Sequence, residues 1–547
     1  MSTTAGKDQD WWRGSVIYQI YLRSFQDSDG DGVGDLPGIT RRLDYVASLG
    51  VDAIWITPFF ASPMKDFGYD VSDYRAIDPL FGNMADLDQL LKRAHQLGLK
   101  VIIDMVLSHS SDQHPWFRQS RANRINPKAD WYVWADPQPD GTAPNNWLSI
   151  FGGSAWQWEP RREQYYLHNF LSSQPDFNFH CRDVQDALLD VIRFWLDKGV
   201  DGFRLDTINF YIHDKELRSN PPLPAEKRNA SIAPRVNPYN YQEHIYSKNR
   251  PENLEFLQRL RRLLDQYHAP VTLGEIGDAL RGIEILGEYT ERDKRVHMCY
   301  AFEFLAQERI SSKMIAQVFA RIDKSAALGW ACWAFSNHDV VRSASRWQLS
   351  QTAQRCYTSL LLCLRGSVCI YQGEELGFEE ANIPLERLQD PYGIEFWPEF
   401  KGRDGCRTPM LWKNDASTNA GFSRYDPWLP IDTTQLNKAV AAQITNSNSL
   451  YHHYKDAISL RHRYPALVKG EQTLMQAQGD LLTFVRTLGN EELFLAFNLG
   501  EGNVAFSLPE GKWCAPAVIP NGAVAPPNNL LGQLQAWQYC IASKGGS

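Results

Sequence analysis

Three short segments hold the residues best suited to chemistry: GFRLDT (202–207), LGEI (273–276) and SNHD (336–339). Each sets an acidic residue, Asp206, Glu275 or Asp339, at or just past the end of an apolar, strand-like run. Carboxylates at the C-terminal ends of parallel strands meet in space although far apart in sequence, which is how a (β/α)8 barrel builds its site. Arg204 lies two residues before Asp206, so on a strand both side chains point the same way, and a neighbouring guanidinium favours the ionised carboxyl. Glu275 follows an apolar run, where partial burial raises a carboxyl pKa. One carboxylate able to attack or stabilise an oxocarbenium-like centre, and one acid able to protonate a departing oxygen, are what cleavage of a glycosidic bond requires.

Eight strand-like runs must position these groups: 16–20, 51–56, 101–106, 202–205, 271–273, 297–302, 331–335 and 368–371. Helical spacing of apolar residues at 85–97 and 184–196 falls between them. Several runs are apolar on both faces, as strands under an outer ring of helices are, so the fold class expected is α/β, a (β/α)8 TIM barrel. Residues 1–107 and 180–465 would form the barrel. Residues 108–179, rich in Trp, Pro, Asn and Gly, are too long for an ordinary βα loop and read as a subdomain inserted after the third strand. A further aromatic and Pro-rich insertion covers about 374–430, after the eighth strand. From 466 to 547 short alternating runs separated by Gly, Asn and Pro read as a C-terminal antiparallel β domain.

The 547 residues, 43% hydrophobic and 22% charged, have an ordinary globular balance. A net charge of -8 without a Lys/Arg block argues against nucleic acid as a partner. The most apolar stretch, 357–371, is broken by Arg365 and too short to span a bilayer. The first fourteen residues lack the basic, apolar, small-residue order of a signal peptide. Nine cysteines form no CxxC pair, so neither a zinc site nor a complete disulfide framework is expected, and a cytoplasmic location fits. The expected partner is a small neutral molecule, bound by a monomer or homodimer.

DSDGDGVGD (27–35) places Asp27, Asp29, Asp31 and Asp35 at the first, third, fifth and ninth positions, with Gly32 sixth, in the manner of a calcium loop. The twelfth position is Gly38 rather than Glu, a departure from the EF-hand. Four acids within nine residues repel one another unless a cation screens them.

The chain resembles the α-amylase family of glycoside hydrolases, family 13, and within it the oligo-1,6-glucosidase and α-glucosidase group. The resemblance runs nearly the whole length, through DMVLSHSSDQHPWF (104–117), QPDFN (174–178), GFRLDT, GEIG, SNHD, YQGEELG (371–377) and GRDGCRTPM (402–410). It implies that Asp206 is the nucleophile, Glu275 the acid/base and Asp339 the transition-state stabiliser of a retaining double displacement. It implies a terminal-glucose pocket from Asp66, Tyr69, His109, Arg204, His338 and Arg407, with Phe151 and Phe170 as aromatic walls. For those two phenylalanines, packing in the core of the inserted subdomain is the competing expectation. Thr207, where Val accompanies α-1,6 cleavage in the group, implies α-1,4 preference. The implied substrates are short oligosaccharides or glucosides such as maltose, sucrose and aryl glucosides, with transglucosylation. No organic cofactor is implied, but a structural Ca²⁺ or Mg²⁺ is, with Asp27, Asp29, Asp31, the Val33 carbonyl and Asp35 as donors. Cys406, where relatives often have Ala, stands near the pocket and suggests thiol-reagent sensitivity. An oligo-1,6-glucosidase or a trehalose synthase-like glucosyltransferase stays open at this point. So does a catalytically silent binding subunit like the transporter heavy chains, although those lack intact catalytic carboxylates.

Overall fold

The computed structural model describes residues 9–544 apart from Ala279. The reading of a leaderless start rests partly on residues 1–8, which lie outside the described residues. Eight parallel strands form the central sheet: β1 (Val16–Ile20), β2 (Ala53–Ile56), β3 (Lys100–Met105), β4 (Gly202–Leu205), β5 (Val271–Ile276), β6 (Met298–Ala301), β7 (Cys332–Trp333) and β8 (Ser367–Tyr371). Their order is β6-β5-β4-β3-β2-β1-β8-β7. A parallel bridge from Cys299 to Ala331, with the Cys299 N–H donating to the Trp330 carbonyl at 3.3 Å, joins β6 to β7 and closes the barrel. All eight expected runs are therefore barrel strands. Strand β7 is shorter than its apolar run, and β5 continues through Glu275, which sits inside the strand.

The two-residue period of each strand sorts its side chains. Val16, Tyr18 and Ile20, Ile54 and Ile56, Ile103, Phe203 and Leu205 pack outward in one core with the helices. Ile17, Ala53, Trp55, Ile102, Val271, Leu273, Met298 and Tyr300 fill the barrel interior. The same inward phase carries Gln19, Asp104, Arg204, Asp206 and Glu275 at the C-terminal ends. Register aligns them laterally: Asp104 lies opposite Arg204, and Glu275 opposite Tyr300.

The outer helices are amphipathic for the same reason the strands are not. Helix Arg182–Asp197 buries Val184, Leu188, Val191, Ile192 and Trp195, a stripe at helical spacing. Helix Met84–Gln96 starts in a capping box between Asn83 and Asp86, a cap of the kind worth about 1 kcal/mol.

After β3 the chain forms a three-stranded antiparallel sheet, Trp134–Ala135, Gln164–Leu167 and Trp156–Glu159. The 374–430 stretch holds only short helical turns, including Pro391–Glu395. From Glu471 the strands pair antiparallel, except that Ala523–Val524 runs parallel to Tyr539–Lys544. A further irregular segment follows β4, from about 211 to 250, and was not expected. It is pinned to the inserted subdomain by reciprocal Asn146–Asn220 hydrogen bonds of 2.8 Å and by Trp147 Nε1 donating to the Arg218 carbonyl at 2.9 Å. Among the described residues no helix is long and apolar enough to cross a membrane. The nine cysteines are unpaired.

Candidate active site

Arg204 is the hub of the site and is fully buried. Its Nη1 meets Asp206 Oδ1 at 2.5 Å and Asp104 Oδ1 at 2.9 Å, and its Nη2 meets Glu275 Oε2 at 2.5 Å. Nη2 also donates to the Tyr300 hydroxyl at 2.7 Å. Burial alone would lower the arginine pKa, but Asp104, Glu275, Tyr300 and Asp206 more than offset it, so the guanidinium stays charged. One cation cannot neutralise three carboxylates. Burial pushes Glu275 up to about 8, with Arg204 opposing and the charges of Asp206 and Asp339 adding to the rise. Burial likewise pushes Asp104 up to about 7, with Arg204 opposing and Asp206 assisting. Glu275 is thereby held as a proton donor near neutral pH.

Thr207 ties the two principal carboxylates together. It adopts φ +39°, a left-handed conformation that is costly for a β-branched residue, about 1–3 kcal/mol. That turn at the end of β4 aims its N–H at Glu275 Oε2, 3.1 Å away, while its hydroxyl donates to Asp206 Oδ2, also at 3.1 Å.

Above these groups lies a cavity of about 440 Å³, lined among others by Asp66, Tyr69, His109, Phe151, Phe170, Asp206, Thr207, Glu275, His338 and Asp339. The volume falls in the range of small-ligand sites. Tyr69 stacks on His338 with ring centroids 5.5 Å apart. Gln19 Nε2 donates to His338 Nδ1 at 2.7 Å, leaving Nε2–H to donate to the Tyr69 hydroxyl at 2.6 Å; that hydroxyl donates in turn to Asp104 Oδ2 at 3.0 Å. Burial lowers the pKa of His338 and of His109, so both imidazoles are neutral hydrogen-bonding groups. His109 Nε2 donates to the Tyr69 carbonyl at 3.0 Å. Phe151 and Phe170 belong to a cluster with Phe210, Tyr239 and Tyr392 at the cavity, separate from the Trp147–Trp156 core of the inserted subdomain. Their rings meet edge to face at 5.8 Å.

Two of the expected pocket residues stand behind the wall. Arg204 supports the carboxylates from below. Arg407 donates to Asp339 Oδ1 at 3.0 Å and to the His338 carbonyl at 2.7 Å, and is 1% exposed. In this stretch the arginine that faces the cavity is Arg403, four residues earlier, which the sequence reading missed. It joins Asp66 Oδ1 at 3.0 Å, Asp339 Oδ1 at 3.2 Å and Asp390 Oδ1 at 2.8 Å. Burial would raise Asp339, but the groups facing it hold it below the usual carboxylate range. His338, Arg403, Arg407 and Arg204 all act on it, and because His338 is neutral the three guanidiniums carry this effect. Asp66 moves the other way, up to about 6, because burial outweighs Arg403 and Arg407. Asp104, Gln19, Tyr300 and Asp390 were also missed. Cys406 is fully buried, its Sγ directed at the Arg403 carbonyl, and burial raises its pKa well above the usual value. This removes the basis for thiol-reagent sensitivity.

The acidic turn lies apart from this cavity. Carboxylate oxygens of Asp27, Asp29 and Asp35 lie within 4.8 Å of one another, a span that oxygen ligands 2.3–2.6 Å from one Ca²⁺ can occupy. Asp31 is outside that trio, its Oδ1 accepting the Val33 N–H at 2.8 Å. Asp35 also caps helix Leu36–Ser48 through the Gly38 N–H at 2.6 Å. Burial raises the pKa of Asp31 and of Asp35, and neighbouring acids add to the rise in both. The donor set is all oxygen and fits a hard dication.

A closed eight-stranded barrel with one acid held protonated, a second carboxylate on the same arginine, and a polar cavity with aromatic walls above them has the groups that a glycoside-processing enzyme needs. Residues 19–470 match the family model for the α-amylase catalytic domain, and the chain belongs to that family, glycoside hydrolase family 13. It is 61% identical over 506 residues to a probable alpha-glucosidase of Rhizobium meliloti (strain 1021), covering 92% of each chain. It is 36% identical over 543 residues to an oligo-1,6-glucosidase of Heyndrickxia coagulans, covering 92% of this chain and 95% of that one. The solved structure of the alpha-glucosyl transfer enzyme XgtA superposes with a TM-score of 0.94 at 53% identity, covering 98% of this chain and 99% of that one.

Proposed function

We propose that the chain is a retaining, exo-acting α-glucosidase that releases α-D-glucose from the non-reducing ends of short α-1,4-linked glucosides and also transfers glucose to other hydroxyls. The observation that carries this reading is the Arg204 fork, which holds Asp206 and Glu275 on its two Nη atoms at 2.5 Å each. Two carboxyl groups bridged by one guanidinium favour the short separation of about 5 Å used for direct attack over the ~6.5–9.5 Å that accommodates a water. Asp206 attacks the anomeric carbon while Glu275 gives its proton to the glycosidic oxygen. Glu275, now a carboxylate, takes a proton from the water or alcohol that displaces Asp206. Asp339, held anionic by Arg403 and Arg407, offers charged acceptors to sugar hydroxyls. The Asp66–Arg403–Asp390 ion pairs form a buried polar wall at one end of the cavity, which favours a chain end over an internal bond. The likeness to a glucosyl transfer enzyme supports interception of the covalent glucosyl intermediate by acceptors other than water.

Linkage is tested by initial rates on maltose, isomaltose and sucrose. Maltose should be the fastest of maltose and isomaltose, and the reverse order would overturn the reading of Thr207. Because the Thr207 hydroxyl bonds the nucleophile, Thr207→Val removes that bond while nearly preserving shape. The isomaltose-to-maltose ratio of kcat/KM should then rise about tenfold, ~1.4 kcal/mol of differential transition-state binding. An unchanged ratio would remove Thr207 from the specificity argument.

For the acidic turn we propose a structural Ca²⁺ or Mg²⁺, held by Asp27, Asp29 and Asp35, with Asp31 and the Val33 carbonyl recruited when the ion is bound. A cation at about 100 times its Kd stabilises the native state by about 2.7 kcal/mol, a Tm difference of roughly 2–3 °C in a chain this size, because the entropy of unfolding grows with length. EDTA should lower Tm by that order, and Ca²⁺ or Mg²⁺ should restore it. A Tm indifferent to chelation would contradict the proposal. The nine unpaired cysteines support placement in a reducing compartment.

A further inference from the structure

A second cavity, about 600 Å³, opens between the acidic turn and the segment 413–424. Four cationic side chains face it, Arg41, Arg42, Lys413 and Arg424, against one carboxylate, Asp27. Among the described residues none of the four has a carboxylate oxygen within 4.0 Å. Asp27 is occupied elsewhere: its Oδ1 accepts the Gly30 N–H at 2.6 Å and its Oδ2 the Gly32 N–H at 2.9 Å. Asp415, the acid nearest Lys413 in sequence, turns Oδ1 to the N–H and hydroxyl of Ser417 at 3.0 and 2.7 Å.

Arg42 is the anchored member. Its Nε donates to Gln26 Oε1 at 2.7 Å, and its guanidinium carbon lies 4.1 Å from the centroid of the Trp412 ring. Arg41 is oriented by donation from Nη1 to the Ser28 carbonyl at 3.2 Å. Burial lowers the Arg42 pKa and the Arg41 charge lowers it further, with no acid acting against them. With no carboxylate in ion-pair range of any of the four, their like charges repel one another across the concavity, and an anion entering it relieves that repulsion.

We propose that this cavity binds a small phosphate-type oxyanion, inorganic phosphate or the phosphoryl group of a sugar phosphate, between Arg41 and Arg42 on one side and Lys413 and Arg424 on the other. Guanidinium forks match the geometry of phosphate oxygens, and a lysine adds a mobile point charge. The volume leaves room for a sugar beside the phosphoryl group. The two walls already touch, through the Asp27 N–H on the Phe422 carbonyl at 3.1 Å and Gln26 Nε2 on the same carbonyl at 2.6 Å. A ligand spanning them therefore ties the turn to the 413–424 segment and raises Tm. The proposal is independent of the glucosidase reading.

The test is calorimetric titration and thermal unfolding of the full chain with inorganic phosphate and, separately, glucose 6-phosphate. Ionic strength is fixed with NaCl, and EDTA is present so that a cation in the acidic turn cannot bind the anion. Saturable binding with a rising Tm is expected, and Arg42→Gln/Arg424→Gln should weaken it at least tenfold while leaving maltose hydrolysis unchanged. Should the double variant fail to fold, Arg424→Gln alone, at an exposed position, should weaken binding severalfold. Tighter binding of glucose 6-phosphate identifies a sugar phosphate as the ligand, and equal affinities identify the phosphoryl group alone. No saturable binding of either anion, or affinity unchanged in the folded variant, overturns the proposal.

Discussion

Asp206→Ala should lose maltose hydrolysis by on the order of 10⁴- to 10⁶-fold while keeping its fold. The loss is chemical, because without the carboxylate no glucosyl-enzyme forms. The fold survives because Arg204 keeps Asp104 at 2.9 Å and Glu275 at 2.5 Å, so no charge is stranded in the barrel. Two further readouts separate a nucleophile from a structural carboxylate. With α-glucosyl fluoride, which needs little acid assistance, added azide should enter the space vacated by the side chain and give β-glucosyl azide. The Glu275 pKa should also fall, since Asp206 is one of the charges raising it. A variant that retains more than a hundredth of wild-type kcat would remove Asp206 from the nucleophile's role.

The second large effect belongs to Glu275. The acid works in its protonated form, which predominates below a pKa of about 8 and is lost as pH rises through that value. The rate of glucosylation should therefore fall tenfold per pH unit on the alkaline side, with the limb near pH 8. Glu275→Gln should lower kcat on maltose by about 10²–10⁴-fold and abolish that alkaline limb, because the amide has no proton to lose in this range. With nitrophenyl α-glucoside, whose leaving group departs as a stable phenolate, the first step should be largely spared and the second, which needs a base, should not. A burst of nitrophenolate followed by slow turnover is the expected trace. An alkaline limb that persists unchanged in the variant would assign the ionisation to another group, with Asp104, at about 7, the next to examine.

The strands and the acidic residues were legible because both obey short-range rules. Apolar runs of three to six residues mark barrel strands, and Asp206, Glu275 and Asp339 stand at or beside their ends. Glu275 stands just past the end of the expected run, and it falls within β5 because the strand continues three residues further, to Ile276. Arg204 was legible as a neighbour of Asp206 through the strand period, but its simultaneous hold on Asp104 and Glu275 depends on inter-strand register, which no local pattern reveals. Arg403 and Arg407 show the same limit. They share one stretch, and only the helical turn Asp404–Cys406 between them decides which faces the cavity and which stands behind Asp339. Arg403 is selected by Asp390, thirteen residues upstream, and by Asp66, 337 residues away. The 211–250 segment was missed because its polar, Pro-rich composition has no periodicity, yet Ala230 to Pro234 line the cavity. Proximity to pocket motifs suggests thiol-reagent sensitivity for Cys406, whereas packing behind Arg403 buries it.

Double displacement at Asp206 is tested most directly by proton NMR of the first glucose released from maltotriose. Anomers of glucose interconvert slowly enough to be read in the first minutes at high enzyme concentration. The α-H1 signal of free glucose should appear first, together with maltose, and the β signal should grow only as mutarotation proceeds. Glucose released first as the β anomer would show a single displacement by water and would contradict the mechanism built on the Arg204-bridged carboxylates.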